Sequence, residues 1–225
     1  YHSVTSTNEI CLEKLEENKY SSVLISSNSQ TNGRGRNQNK WYSREGNIYF
    51  SLGLIKNTLS ENLPLKTAVI VSDAIKDFFD IDIQLKWPND LVHKNKKIGG
   101  ILVEKDIYAN EEKTIIGIGI NFNINGEENW WGDISELKIE DQRNVIIAKI
   151  TSEIIKAYDK DHFDWVNQWE NLCIHLNKEV KINNHDSTTE DGVFIGIEDD
   201  GSALIKTESG MKSFKSSEIS IKGVY

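Results

Sequence analysis

Two stretches of this chain gather residue types that handle anions. From Asn18 to Arg44 there is no Asp or Glu, while Lys19, Arg34, Arg36, Lys40 and Arg44 are present. Inside that stretch stands Gly33-Arg34-Gly35-Arg36. Its guanidiniums can each fork onto a carboxylate or phosphate, and its glycines let backbone N–H groups approach an anion closely. Gln30 and Trp41 flank it with an amide and a stacking face. The second stretch is Lys86-Trp87-Pro88-Asn89-Asp90. Pro88 restricts Trp87 to extended backbone, so Lys86 ends a strand as a point charge able to meet a carboxylate and a phosphate together. Blander readings stay open for both: a solvated basic loop, and an internal Lys86–Asp90 ion pair beside a core tryptophan.

Two glycine-containing runs add to these. In Lys96-Lys97-Ile98-Gly99-Gly100-Ile101-Leu102-Val103-Glu104, paired glycines inside a strand mark either a bulge, close packing or a ligand's approach. Gly117-Ile118-Gly119-Ile120-Asn121-Phe122-Asn123 is not a dinucleotide fingerprint, because its glycines lie within a strand, a third glycine is missing and no helix follows. Asn121 and Asn123 are instead expected on one side, where their amides could read a nucleotide. Trp130-Trp131 offers either a stacking platform for a purine or a packed corner.

These residues need a scaffold to position them. Ser6 with Glu9 fits a capping box opening a first helix. Val23-Leu24-Ile25 reads as a buried strand, and Ser26 to Lys40 as a polar loop without periodicity. Asn47 to Leu52 is a strand. Pro64 starts a helix with Val69, Ile70, Ala74, Ile75, Phe78 and Phe79 on one face. Strands follow at Ile83 to Trp87, Ile98 to Val103 and Ile115 to Ile120. Val145, Ile146, Ile150, Ile154, Ala157 and Tyr158 define a long helix, and Trp165 with Trp169 a shorter one. Hairpin-like connections among the strands predict an α+β fold: a mixed, mostly antiparallel sheet with helices on one side, not a doubly wound parallel sheet. After about Lys178 short alternating strands and the turns Asp199-Asp200-Gly201 and Ser209-Gly210 predict a small all-β barrel leaning on the first domain. The expected division is 1–177 and 178–225.

Composition removes several classes. A net charge of −9 argues against general nucleic-acid binding. No run of eighteen apolar residues exists, and the N-terminus does not read as a signal peptide. Cys11 and Cys173 suit no zinc pattern or disulfide framework and are expected as reduced, buried thiols of a cytoplasmic protein. His2, His93, His162, His175 and His185 have no metal-ligand spacing. No phosphate-binding GxxxxGK[ST] loop occurs.

In their order and spacing, Ser6-Thr7-Asn8, Gln30, GRGR with Trp41, the Tyr49-Phe50-Ser51 strand, KWPND, GGILVE and GxGINxN resemble the biotin–protein ligases over nearly the whole chain. The resemblance implies a class II synthetase-like catalytic domain with an SH3-like C-terminal domain. It implies formation of biotinyl-5′-adenylate from biotin and ATP with Mg²⁺, then transfer to a lysine of a biotin carboxyl carrier domain. By the same resemblance Ser6, Thr7, Asn8 and Gln30 meet the ureido end of biotin, with Gly33, Arg34, Gly35 and Arg36 folding over biotin and the adenylate. Lys86 bridges carboxylate and α-phosphate, and Gly99 and Gly100 lie along the apolar tail. Trp41, Asn89, Asp90, Asn121, Asn123 and Trp131 are carried over to the nucleotide, and no protein ligand is assigned to the metal. Lys86 and Arg36 are the expected catalytic pair.

The chain departs from the family at Asn37-Gln38-Asn39, where another Gly and Arg are usual, and at Arg44, where Pro is usual after Ser. Both changes fall in the loop and bear on its closure. With Ser-Thr-Asn beginning at Ser6, the sequence is expected to be the form without an N-terminal DNA-binding domain. Two rivals stand beside this reading: a lipoate–protein ligase, and a non-catalytic biotin or adenylate sensor. Ile98 to Tyr108 is expected either to pair between two copies in a homodimer or to lie inside the sheet.

Overall fold

The computed structural model describes residues 1–17, 19–55, 62–108, 111–124, 129–137, 142–159, 164–184 and 188–222. His162 and His185 lie outside them. In chain order the elements are β1 (Ser3–Val4), α1 (Thr7–Glu16), β2 (Ser22–Ser27), β3 (Ser29–Gln30), β4 (Ile48–Ile55), α2 (Leu63–Phe79), β5 (Gln84–Lys86), β6 (Asp90–His93), β7 (Lys96–Tyr108), β8 (Glu111–Ile120), α3 (Arg143–Asp159) and α4 (Trp165–Leu172). The C-terminal part adds β9 (Glu179–Asn184), β10 (Thr189–Ile197), β11 (Ala203–Thr207), β12 (Gly210–Phe214) and β13 (Ile219–Lys222).

The main sheet has six strands in the order β2-β4-β8-β7-β6-β5, every neighbouring pair antiparallel. Its two faces differ because side chains alternate along a strand. The register Ile48↔Ile120, Phe50↔Ile118, Leu52↔Ile116 puts six large apolar side chains on one face. Leu65, Val69 and Ile75 of α2 and Ile146, Ile150 and Ile154 of α3 join them in one continuous core. The other face carries Tyr49, Ser51, Gly53, Gly117 and Gly119, small or polar residues that leave room above the sheet.

Helix α1 packs on that second face, so helices occupy both sides rather than one. Cys11 and Leu15 sit where any side chain on Gly53 would stand, at 2.6 and 2.8 Å from its missing Cβ. A minor cluster of Cys11, Ile25 and Ile115 seals this contact. Strand β2 is an edge strand, and Leu24 is exposed instead of buried. Val145 likewise lies outside the buried stripe of α3. Strand β7 lies between β6 and β8 in the strand order; β8 pairs it from Gly99 to Tyr108, β6 only from Lys96 to Gly100.

Strands β12-β11-β10-β9-β13 form a five-stranded antiparallel sheet. Its turn between β11 and β12 is Glu208-Ser209, with Gly210 already paired to Thr207. Its buried residues Val180, Ile182, Phe194 and Ile205 belong to the same core as α2 and α3. Trp87 Nε1 donates to the Gly201 carbonyl at 3.0 Å, and Asn62 Nδ2 to that of Asp199 at 2.8 Å. The small sheet therefore leans on the first part, as its size requires. Cys11 is buried and Cys173 half-buried, both as free thiols that burial pushes up to about 12.

Candidate functional site

A cavity of about 540 Å³ opens over the small-residue face of the main sheet, between α1, the 30–42 loop and β13. That volume suits a cofactor-sized ligand. Ser6, Thr7, Asn8, Gln30, Arg34, Gly35, Arg36, Trp41, Lys86, Asn89, Asp90, Gly100, Asn121 and Trp131 all line it, so residues spread over 126 positions of sequence converge on one space.

One end is a network of amides and hydroxyls anchored on the Arg34–Glu104 ion pair. The expected capping box does not form: Ser6 occupies the N-cap position of α1 without a side-chain cap bond, and it is buried against the cavity. Glu9 instead faces Arg34, its Oε1 at 3.7 Å from Nε. The helix's first amide is taken by Gln30, whose Oε1 accepts from Thr7 N at 2.7 Å and from Thr7 Oγ1 at 3.1 Å. Gln30 Nε2 donates to Ser43 Oγ at 2.8 Å. Ser51 Oγ lies 2.8 Å from Thr7 Oγ1 and 2.5 Å from Asn8 Oδ1. Asn8 Nδ2 donates to Glu104 Oε2 at 2.6 Å, and Arg34 Nη2 donates to the same oxygen at 3.3 Å. Gly117 makes this approach feasible, since a Cβ there would stand 2.2 Å from Asn8 Oδ1. Such an array holds donors and acceptors in fixed directions for a neutral polar ring.

The other end is cationic. Lys86 closes β5 opposite Asp90, and its side chain is 9% exposed. Burial lowers the Lys86 ammonium pKa; Asp90 opposes this, while Lys97 and Lys222 add to it. Asp90 Oδ1 is 2.6 Å from Lys97 Nζ, which lies 5.5 Å from the centroid of the Trp41 ring. Trp41 rests on Gly119, where a Cβ would be 2.7 Å from its Nε1. Trp131 stacks obliquely on Tyr42, with ring centroids 5.0 Å apart.

The loop between these ends folds back on itself as a flap. Gly35 N donates to Asn39 O at 2.7 Å and Trp41 N to Gly33 O at 2.9 Å. Asn37 and Gln38 at its tip adopt φ of 53° and 60°, in the left-handed region that favours glycine. Arg36 Nη2 donates to the Ser216 carbonyl of the C-terminal sheet. Burial lowers the Arg36 pKa, with Asp90 opposing it.

Three expected site residues lie elsewhere. Gly33 faces Ser43 Oγ and the Trp41 carbonyl, each 2.5 Å from its missing Cβ, and so permits the flap to fold. Gly99 faces the core, 2.9 Å from Leu91 by the same measure. Asn123 donates its backbone N–H to Asn47 Oδ1 at 2.9 Å and does not line the cavity. Arg34 lines it, yet its guanidinium is engaged by Glu9 and Glu104. Asn89 lines it too, with Nδ2 engaged by the Ile101 carbonyl at 2.8 Å.

Ser51, Glu104, Lys97, Tyr42 and Ser220 are functional candidates that motif reading passed over. Ser51 and Glu104 stood inside quoted motifs, and the two-residue strand period would have turned both toward α1. Among the described residues no group of three or more His, Cys, Asp or Glu could hold a metal ion. No helix among them is long and apolar enough to cross a membrane.

Residues 1–121 match the family model described as the biotin/lipoate A/B protein ligase family, and residues 175–222 match the biotin protein ligase C terminal domain. The chain is 28% identical to the bifunctional ligase/repressor BirA of Bacillus subtilis, over 98% of this chain and 73% of that protein. It is 27% identical to the Escherichia coli protein of the same name, over 97% and 72%. Its structure superposes on the biotin protein ligase from Aquifex aeolicus in complex with biotin and ATP with a TM-score of 0.80, at 31% identity, covering 98% of this chain and 96% of that one.

Proposed function

We infer, for a chain that belongs to the biotin/lipoate A/B protein ligase family, that it activates biotin with ATP and transfers it to protein. The biotin carboxylate oxygen bonds to the α-phosphorus while the bond to the β-phosphate breaks and its electron pair leaves on pyrophosphate. The ε-amine of an acceptor lysine then attacks the carbonyl of the mixed anhydride, loses its proton to solvent and expels AMP. We assign that lysine to a biotin carboxyl carrier domain. The substrate supplies the first nucleophile, so the protein's work is positioning and electrostatic stabilisation.

The observation that carries this reading is the union, in one cavity of about 540 Å³, of a hydrogen-bonded polar end and a cationic end built on Lys86. We assign Ser6, Thr7, Asn8 and Gln30 to the ureido ring and Gly100 to the apolar tail. Lys86 meets the carboxylate and α-phosphate. Arg36 retains the adenylate, and Asn121 and Trp131 flank the nucleotide. Arg34 is reassigned as a positioning residue, because two carboxylates already hold it. Among the described residues Asp90 is the one carboxylate lining the cavity, which suits Mg²⁺ arriving on ATP as part of the substrate. We take 178–225 as a second domain that contributes Ser216 and Ser220 to the site.

The test is biotin-dependent exchange of labelled pyrophosphate into ATP by the purified protein. Exchange is expected with biotin and not with lipoate. Exchange with lipoate alone would move the substrate to the sister activity, and biotin binding with no exchange would make the protein a sensor.

A further inference from the structure

The strand β7 contains a device that none of the assignments above uses. Its register against β6 pairs Leu91 with Gly99 but Val92 with Lys97, so Ile98 is an extra residue, a β-bulge. Gly100 faces the cavity, in contact distance of Trp41 and Asn89. Counting back by twos from Gly100 would send Ile98 into the cavity and Lys97 into the core. The bulge reverses this: Ile98 is fully buried in the core, and Lys97 turns to the cavity. Bulges beside active sites commonly re-aim a side chain in this way.

Lys97 is also held firmly. Its N–H donates to Trp130 O at 3.0 Å and its carbonyl accepts from Gly132 N at 2.9 Å. Its stem passes Gly100, whose missing Cβ would be 3.8 Å from Lys97 Cε. Its ammonium, on a side chain 19% exposed, shares Asp90 with the region of Lys86. A second, mostly buried lysine beside the reacting centre is costly to desolvate, and Asp90 at 2.6 Å offsets that cost.

We propose that Lys97 is a catalytic residue of the adenylation step. Its ammonium contacts the phosphates of ATP as the α–β bond breaks, and Asp90 is its counter-ion until nucleotide binds. The proposal rests on the reading that ATP binds in this cavity. Lys86 and Lys97 would then flank the phosphate chain, dividing the negative charge that develops there.

Lys97→Met keeps the stem beside Trp41 and removes the charge. In the full chain, biotin-dependent pyrophosphate exchange should fall on the order of 100-fold, with biotin affinity within about threefold of the unaltered protein. Lys97→Arg should recover most of the loss. Unaltered exchange in Lys97→Met would overturn the proposal, as would biotin affinity falling in step with exchange. So would an arginine variant that binds biotin but recovers nothing; Lys97 would then be only the structural partner of Asp90. The unaltered protein is measured alongside: absence of exchange there would withdraw the reaction itself, and this proposal with it.

Discussion

At the α1 end of the cavity, Thr7, Asn8, Gln30 and Ser51 are already joined to one another and to Glu104 by hydrogen bonds of 2.5–3.1 Å. At the Lys86 end, two lysines lie near one carboxylate, and burial disfavours the charge on Lys86. The first end is satisfied before any ligand arrives, and it reads a ligand by shape and donor direction. The second gathers its cations around Asp90, and an incoming anion adds to that pairing. Neutral recognition can be built rigidly because hydrogen-bonded dipoles balance one another. Stabilisation of developing charge needs cations whose partner is the reaction itself.

Five substitutions break or sharpen this contrast. The largest effect is expected from Lys86→Ala, which should cut pyrophosphate exchange on the order of 10³-fold by removing the charge at the reacting centre. Exchange within tenfold of the unaltered protein would dissolve the cationic end as a catalytic unit. Next comes Gly117→Ala, whose Cβ would collide with Asn8 Oδ1 at 2.2 Å. It should weaken biotin binding and cost about 1–3 kcal/mol of stability, seen by titration calorimetry and chemical denaturation. Gly100→Ala is its control for stability alone, since its nearest contacts within the protein would be 3.6–3.8 Å and stability should hold.

Arg36→Gly removes the bond from the flap to Ser216. The adenylate should then dissociate about tenfold faster, the worth of one charge-assisted hydrogen bond, with stability unaltered. An unchanged off-rate would detach the flap from adenylate retention. The smallest effect on activity is expected at His175, buried beside Trp169 and Phe194 with both ring nitrogens unpartnered among the described residues. Burial, with Lys86 and Lys178 nearby, lowers its pKa from 6.5 to about 3. Between those values the unfolded chain binds a proton that the folded one refuses. Stability is therefore full above pH 6.5 and declines as pH falls toward 3. His175→Phe should flatten that decline by up to about 1.4 kcal/mol per pH unit. An identical slope in denaturation at about pH 4 to 6 would show that another group carries it.

Much of this contrast was legible along the chain. The strands from Asn47 to Ile120, the helix begun at Pro64 and the closing β-rich segment follow from periodicity and turn residues, which act over a few neighbours. The motifs on Ser6-Thr7-Asn8, GRGR and KWPND lead to the cavity because each is short and sits at an element's end. What escaped reading depends on partners far away in sequence. Ser6 looks like a helix cap until Gln30 is seen to take the first amide of α1. Arg34 lines the cavity as its motif suggests, but only the fold shows Glu9 and Glu104 beside its guanidinium. Gly99 and Gly100 look equivalent, and only the sheet shows that one faces Leu91 and the other the cavity.

The amino-acid sequence by itself determined the family, the reaction class and the two anion-handling motifs, since those depend on residue types at short spacing. The tertiary structure alone decided which of those residues remain available to a ligand. Side-chain direction in a sheet reverses with a single inserted residue, and the bulge at Ile98 is set by the pairing of β7 with β6. Charge availability is settled in the same way, by which carboxylate the fold brings to each cation.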